Sequence, residues 1–121
     1  MTKEYTAEEA NALLPSLRTA LHSIRRARQV VLSGGERIRQ AAPLDGGGRE
    51  GKEFWEALQT LRREVEALNE QGIVLRDPES GLIDFPAKRD GREIFLCWRP
   101  DEERVGYWHG PDSGFAGRKP L

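Results

Sequence analysis

Four deficits in the 121-residue sequence restrict the kind of protein that it encodes. A single cysteine, Cys97, excludes an intramolecular disulfide and indicates a reducing compartment. No apolar run reaches the length of a membrane span, and the N-terminal stretch lacks the apolar core of a signal peptide. A formal net charge of −1 provides no charged field for binding nucleic acid or an anionic membrane. We therefore expect one cytoplasmic domain over residues 1–121 that binds neither.

Motifs that would identify a reaction are missing as well. The sequence contains no HExxH and no CxxC, the usual signatures of zinc sites. The segment APLDGGGREG at 42–51 is glycine-rich, but no strand precedes it and no Lys-Ser/Thr pair follows it, as a phosphate-binding loop requires. We interpret this segment as a flexible loop. The sequence thus supports a fold class and a candidate site without identifying a reaction.

A β-meander is predicted from residue 73 to residue 109, where short apolar runs alternate with turn signals. The sequence DPESG at 77–81 combines Asp at a turn start, Pro with a preset φ, and Gly where φ is positive. The pair Asp-Gly at 90–91 is typical of a two-residue type I′ hairpin. These connections predict three or four antiparallel strands.

The register of the two hairpins sorts the side chains onto two faces. We pair Arg76 with Leu82 in the first hairpin and Arg89 with Arg92 in the second. Because strand side chains alternate between faces, one face collects only apolar residues, namely Ile73, Leu75, Ile83, Phe85, Ile94, Leu96 and Trp98. The opposite face is mixed and carries Val74, Arg76, Leu82, Asp84, Pro86, Phe95 and Cys97.

Two amphipathic helices are predicted before the meander. The sequence TAEE at 6–9 is a capping box, and we assign the first helix to 5–41, where Pro15 predicts a kink or a new helix start. The second helix, 52–71, has apolar residues at 4-3-4-3 spacing and Gly72 just past its end. Both apolar seams predict an antiparallel helical hairpin. Because these seams are long for so small a sheet, we expect a homo-oligomer that associates through the helices.

The expected fold is α+β. The long helical hairpin packs on one face of a three- to four-stranded antiparallel β-meander, and the two share a single core. Residues 110–121, called the tail below, are rich in glycine. We expect the tail to be irregular and to fold back across the sheet, with Phe115 as its anchor.

Candidate site residues lie at the end of the meander and on its mixed face. Asp84 lies between two apolar residues and faces Cys97 in the predicted register, and burial of such a carboxyl perturbs its pKa, as in many functional sites. An arginine or a backbone amide bound to Asp84 would instead make it a structural residue. His109 ends the last strand and suits a metal ligand, a proton-transfer group or an ordinary hydrogen-bonded side chain. With Glu8, these residues are candidates for a metal site.

Two further residues have alternative roles. Cys97 is either a small buried apolar group or a nucleophile, and the second role needs a base such as His109 in contact with it. Arg118 is either an anion-binding residue, aided by exposed amides, or the group that closes the tail onto a carboxylate such as Asp84 or Glu8. The residue types alone do not decide between these alternatives.

Several segments resemble a known protein family. They are YTAEEANALLP at 5–15, GLIDFP at 81–86, GREIFLCWR at 91–99 and YWHGPDSGFAGRKPL at 107–121. Together they resemble a bacterial family of uncharacterised proteins, domain-of-unknown-function family 2203, over nearly the whole chain. The resemblance implies a small α+β protein without an assigned activity. It also implies recurrent polar and aromatic positions at Glu8, Asp84, Cys97, Trp98, Trp108, His109, Phe115 and Arg118.

Two classes of function are consistent with these features. We favour a cytoplasmic binding or assembly module that self-associates through its helices and acts on a protein partner. The alternative is a small-ligand or divalent-metal protein, catalytic or not, with its site between the sheet, the first helix and the tail. That site would use Glu8, Asp84, His109 and Arg118, supported by Cys97, Trp98, Trp108 and Phe115.

Overall fold

The computed structural model describes residues 3–45 and 48–121, and within them the side chains outside 35–50. Two helices, α1 and α2, precede five strands, β1 to β5, and a short 3-10 helix lies between the last two strands. None of the helices in these ranges is long and apolar enough to cross a membrane. The elements are α1 (Ala7–Asp45), α2 (Gly48–Glu70), β1 (Val74–Asp77), β2 (Leu82–Arg89), β3 (Arg92–Trp98), β4 (Tyr107–His109), the 3-10 helix (Phe115–Gly117) and β5 (Lys119–Pro120).

The start of α1 is the predicted capping box. The amide of Glu9 donates to Oγ1 of Thr6 at 3.0 Å, and the amide of Thr6 donates to Oε1 of Glu9 at 2.9 Å. Two donors that the first helical turn leaves unpaired are thereby satisfied. The helix continues through Pro15, so no second helix begins there.

Both helices extend further into the glycine-rich segment than predicted. The structure continues α1 to Asp45 and starts α2 at Gly48, which corrects the two ends of the loop predicted at 42–51. Residues 46 and 47 of that loop lie outside the described residues. Residue preferences are weak local terms, whereas each residue added to an existing helix contributes a further hydrogen bond. Glycine content therefore overestimated the length of the connection.

The strands form one antiparallel sheet in the order β1-β2-β3-β4-β5. The predicted second hairpin is confirmed, since Arg89 pairs with Arg92. The first hairpin differs, because the register shifts between Leu75 and Asp77 and places Asp77, rather than Arg76, opposite Leu82. The side chain of Asp77 accepts hydrogen bonds from Ser80 Oγ at 2.8 Å and from the amide of Glu79 at 3.1 Å. The turn is therefore one residue shorter than predicted, and the extra residue lies in the strand as a bulge at Arg76.

The predicted apolar face is the face that forms the core with the helices. All of its members except Leu75, which packs at the margin, are buried in one cluster. The largest fully buried side chain is Trp98, with 0% of its surface exposed. The helices contribute Ala10, Leu14, Leu17, Leu21, Ile24 and Leu68 to the same cluster.

The tail is more regular than predicted. It folds back as expected, but β5 pairs with β4 and makes the sheet five-stranded, and the amide of Leu121 donates to the carbonyl of Gly106 at 3.0 Å. Phe115 is not a core anchor, since 37% of its surface is exposed. A two-residue strand that contains Pro120 has no alternation from which a sequence pattern could identify it.

Two turn glycines provide a matched test of the fold. Gly81 has φ +78°, and a Cβ atom there would lie 2.8 Å from Cγ of Pro100, whereas Gly91 has φ +77° and open space around it. We expect Gly91→Ala to lower the free energy of unfolding by about 1–2 kcal/mol, the cost of left-handed backbone. Gly81→Ala should cost at least about 1 kcal/mol more because of the overlap with Pro100. Urea denaturation measures both, and equal losses would contradict the packing described here.

Candidate functional site

Three potential metal ligands meet on the sheet face opposite the helices. Asp84 in β2 pairs with Cys97 in β3, and His109 in β4 lies beside them. Their side chains are almost completely buried, with 1%, 0% and 2% of the residue surface exposed, respectively. A carboxylate oxygen of Asp84, Sγ of Cys97 and a ring nitrogen of His109 lie within 4.8 Å of one another. Strand alternation and the pairing of three neighbouring strands therefore create the cluster.

The two oxygen atoms of the Asp84 carboxylate differ in their hydrogen bonding. Its Oδ2 atom accepts a hydrogen bond from Nε of Arg76 at 2.7 Å and lies 2.9 Å from Nε2 of His109. Its Oδ1 atom is buried and has no hydrogen-bond partner in the described part of the chain. An unsatisfied buried acceptor costs about 1–3 kcal/mol, and more when it is charged. The geometry thus leaves one oxygen that a bound group could satisfy.

The imidazole of His109 is oriented by the backbone that follows it. Its Nδ1 atom lies 2.7 Å from the carbonyl oxygen of Gly110 and 3.2 Å from the amide nitrogen of Gly114. The Gly114 amide donates to Nδ1, whereas the contact with the Gly110 carbonyl is a hydrogen bond only when Nδ1 carries the hydrogen, so the two contacts favour opposite tautomers. With the hydrogen on Nε2, the ring donates to Oδ2 of Asp84 at 2.9 Å. With the hydrogen on Nδ1, the Nε2 lone pair faces the same side and is free to bind a metal ion.

The environment of Cys97 makes its thiol a weak nucleophile in the absence of a metal ion. Burial is the main cause that raises its pKa to about 11; the nearby Asp84 carboxylate raises the pKa as well, and Arg118 lowers it. Only about one part in ten thousand is then thiolate at pH 7. Although Cys97 lies close to His109, the alternative role as a nucleophile is therefore not supported.

The tail closes over this face of the sheet. Arg118 forms a bidentate ion pair with Glu102, with Nη1 3.0 Å from Oε1 and Nη2 2.7 Å from Oε2. The hydrogen bond with Glu102 raises the pKa of Arg118 above its ordinary value, so the guanidinium stays charged. The guanidinium also stacks on the ring of Tyr107 at 4.0 Å. Arg118 therefore holds the tail against the sheet.

A cleft of about 340 Å³ leads to the cluster. Asp84 and His109 lie in its wall, and Arg76 forms part of its edge with 43% of its side chain exposed. Phe115 also lines the cleft, although most of the tail residues around it are exposed. A small molecule could therefore reach the buried cluster from solvent.

The structure groups only some of the predicted site residues. Asp84, Cys97 and His109 come together, Nη1 of Arg118 lies 4.0 Å from Sγ of Cys97, and Phe115 lines the cleft. By contrast, the prediction that Glu8, Trp98 and Trp108 belong to the site is wrong, because these residues lie away from the cluster.

The physical reasons for these corrections are simple. Glu8 is in the first turn of α1, and α1 packs against the other face of the sheet. Trp98 and Trp108 each adjoin a site residue in sequence, so strand alternation directs both toward the core. There Trp98 donates its Nε1 hydrogen to the carbonyl of Glu102 at 3.1 Å, and Trp108 packs against the hydrophobic cluster.

Two residues that matter to the site were not among the predicted set. Arg76 binds Asp84, as in the structural alternative that gave Asp84 an arginine partner. Strand alternation also predicted that Arg76 lies on the mixed face, together with Asp84. Glu102 binds Arg118 from the loop between β3 and β4, where no periodic pattern points to it. A signal was available for Arg76, whereas Glu102 required the tertiary structure.

Comparison with known proteins identifies the family. The family model described as "Uncharacterized conserved protein (DUF2203)" matches residues 3–121. The chain belongs to this family. No curated protein and no solved structure matched the chain significantly. The family description assigns no activity.

The reactivity of Cys97 tests the environment described for it. At pH 8, we expect iodoacetamide to label the folded protein at least about 100-fold more slowly than glutathione, because a thiol with its pKa near 11 has little thiolate. Mass spectrometry of quenched time points measures the rate. The same chain unfolded in guanidinium is the control and should react at an ordinary rate. Equal rates for folded and unfolded protein would contradict a buried thiol.

Proposed function

We propose that the cluster of Asp84, Cys97 and His109 binds a divalent transition-metal ion of the zinc class. The observation that carries this proposal is Oδ1 of Asp84, a buried carboxylate oxygen without a partner in the described part of the chain, next to a thiol and an imidazole. A metal ion would satisfy that oxygen and replace the thiol proton of Cys97. It would also place a positive charge next to the buried carboxylate of Asp84.

The donor set favours one class of metal. One oxygen, one sulfur and one nitrogen suit Zn²⁺ and Co²⁺, whereas Mg²⁺ and Ca²⁺ prefer oxygen ligands alone. A thiolate ligand requires that Cys97 stay reduced, and we propose a cytoplasmic location for the same reason. The chemistry of the ligands thus selects a borderline metal in a reducing compartment.

The surroundings of the ligands support metal binding. Ligating histidines usually donate their second ring N–H to a carboxylate or a backbone carbonyl, which fixes the tautomer. The contact of 2.7 Å between Nδ1 of His109 and the carbonyl of Gly110 has this form. Arg76 holds Asp84 by a hydrogen bond of 2.7 Å to Oδ2, so the carboxylate is oriented as well. Two of the three ligands are therefore preorganised.

Three protein ligands leave one position of a tetrahedral metal open. The cleft lined by Asp84 and His109 provides access to that position, and Arg76 lies at its edge. A guanidinium there attracts anions, since only its Nε has a hydrogen-bond partner in the described part of the chain. We therefore propose a metal site that binds water or a small anionic ligand at the open position.

Cobalt titration of untagged protein tests metal binding. We expect about one Co²⁺ per chain and a sulfur-to-cobalt charge-transfer absorption in the near ultraviolet, because Cys97 would be a ligand. Cys97→Ala should abolish the absorption, and His109→Ala should lower the affinity at least about tenfold. His22→Ala changes the other histidine, which lies on α1 away from the cluster, and serves as the matched control. If no Co²⁺ or Zn²⁺ binds to the folded wild-type protein, this function is ruled out.

Azide tests the anionic ligand separately from the metal. In the cobalt-loaded protein, azide should perturb the visible absorption of the metal, since it would occupy the open position. Arg76→Gln should retain cobalt but weaken the apparent affinity for azide about tenfold, because a charge-assisted contact is lost. Lys88→Gln, on the exposed end of β2, removes an equal charge as the control. An unchanged azide affinity in Arg76→Gln would contradict this role of the guanidinium.

A further inference from the structure

A second surface lies between the two helices, outside the hydrophobic core. A groove of about 510 Å³ is lined by residues of α1 and α2, including His22, Arg26, Val30, Glu53, Glu56 and Ala57. None of its lining residues belongs to the core cluster that the helices share with the sheet. The groove is therefore a surface feature of the hairpin itself.

The length of the hairpin explains why such a surface exists. Helix α1 has 39 residues, which corresponds to about 58 Å. Among its described side chains, the last buried hydrophobic residue is Ala27, while Val30 is 37% exposed. Residues 28–33 of α1 therefore gain little of the burial that normally stabilises helices in proteins.

The charges on the two sides of the groove are opposite in sign. On α1 the groove has the cation Arg26, and on α2 it has the anion Glu56. Neither side chain has an ion-pair partner in the part of the chain that the structure describes. Between them, Ala27 and Ala57 are small enough for another helix to approach closely. The groove thus has a positive rim, a negative rim and a narrow apolar floor.

We propose that the groove binds the same groove of a second copy of this chain. A two-fold axis that runs along the groove, in the plane of the interface, places α1 of each copy over α2 of the other. Arg26 of each copy then faces Glu56 of its partner, and both contacts form at once. Val30 and the two alanines provide the apolar contacts between these ion pairs. The occupant is a second copy because one surface carries both of the complementary charges, and the result is a four-helix bundle.

Charge reversal distinguishes this dimer from other modes of association. In sedimentation equilibrium, wild-type protein should be a dimer, and Arg26→Glu or Glu56→Arg should raise the dissociation constant at least about tenfold because like charges would face each other. An equimolar mixture of the two variants should form a heterodimer with restored affinity. In that heterodimer, the glutamate at position 26 of one chain faces the arginine at position 56 of the other, and the unchanged Glu56 of the first chain faces the unchanged Arg26 of the second. A mass tag on one variant identifies that heterodimer.

Two control variants complete the experiment. Glu66→Arg makes an equal charge change on α2 outside the groove and should leave the dimer intact. Trp55→Ser alters an aromatic residue that is 60% exposed and lies two positions before Ala57, hence on the opposite side of the helix. Circular dichroism of each variant checks that the helices remain folded.

Three outcomes would overturn the proposal. The first is a wild-type monomer at high micromolar concentration. The second is a dimer that neither charge reversal weakens. The third is a dimer that dissociates in Trp55→Ser but not in the charge-reversal variants, because the interface would then lie on the other side of the hairpin. Weak self-association of each charge-reversal variant, together with a tight heterodimer of Arg26→Glu with Glu56→Arg, would support this interface.

Discussion

Burial of one carboxylate is the constraint on which the site depends. Asp84 lies in β2 between Ile83 and Phe85, and all three side chains are buried because the helices cover one face of the sheet and the tail covers the other. A carboxylate in such a place requires positive charge and hydrogen-bond donors around it. Arg76 meets that requirement by donating from Nε to Oδ2, and Nε2 of His109 lies 2.9 Å from the same oxygen. Because the remaining oxygen, Oδ1, has no hydrogen-bond partner in the described part of the chain, the cluster is a candidate cation-binding site. A purely structural hydrogen-bond network would leave no buried acceptor unpaired.

The two faces of the sheet carry different kinds of side chain. Its inner face supplies the apolar core, whereas its outer face collects Asp84, Cys97 and His109 beneath the tail. Arg118 joins the tail to Glu102 and stacks on Tyr107, so the cover of the site is held by charge and not by a hydrophobic anchor. The long hairpin contributes nothing to this cluster. The metal site and the dimer interface that we propose can therefore be altered independently of each other.

Much of the fold could be predicted because it depends on local rules. The Asp-Gly pair at 90–91 determines the pairing of β2 with β3, and alternation then assigns the side chains of both strands to faces. The bulge near Arg76 was missed because it depends on which hydrogen bonds Asp77 makes in the turn. Helix ends were misplaced for a similar reason. Glycine content measures a local preference, whereas helix length also depends on the residues that already form the helix.

What the sequence by itself determined is the fold class, the apolar face of the sheet and the position of Asp84 opposite Cys97, since strand and helix periods are properties of the local chain. Only the tertiary structure decided that His109 joins them and that Glu8, Trp98 and Trp108 do not. The loop between β3 and β4 begins with a turn, in which the amide of Glu102 donates to the carbonyl of Arg99, but the residues after that turn leave the register of β4 to long-range pairing. Burial, which gives these three residues their chemistry, arises only when the tail folds over the completed sheet.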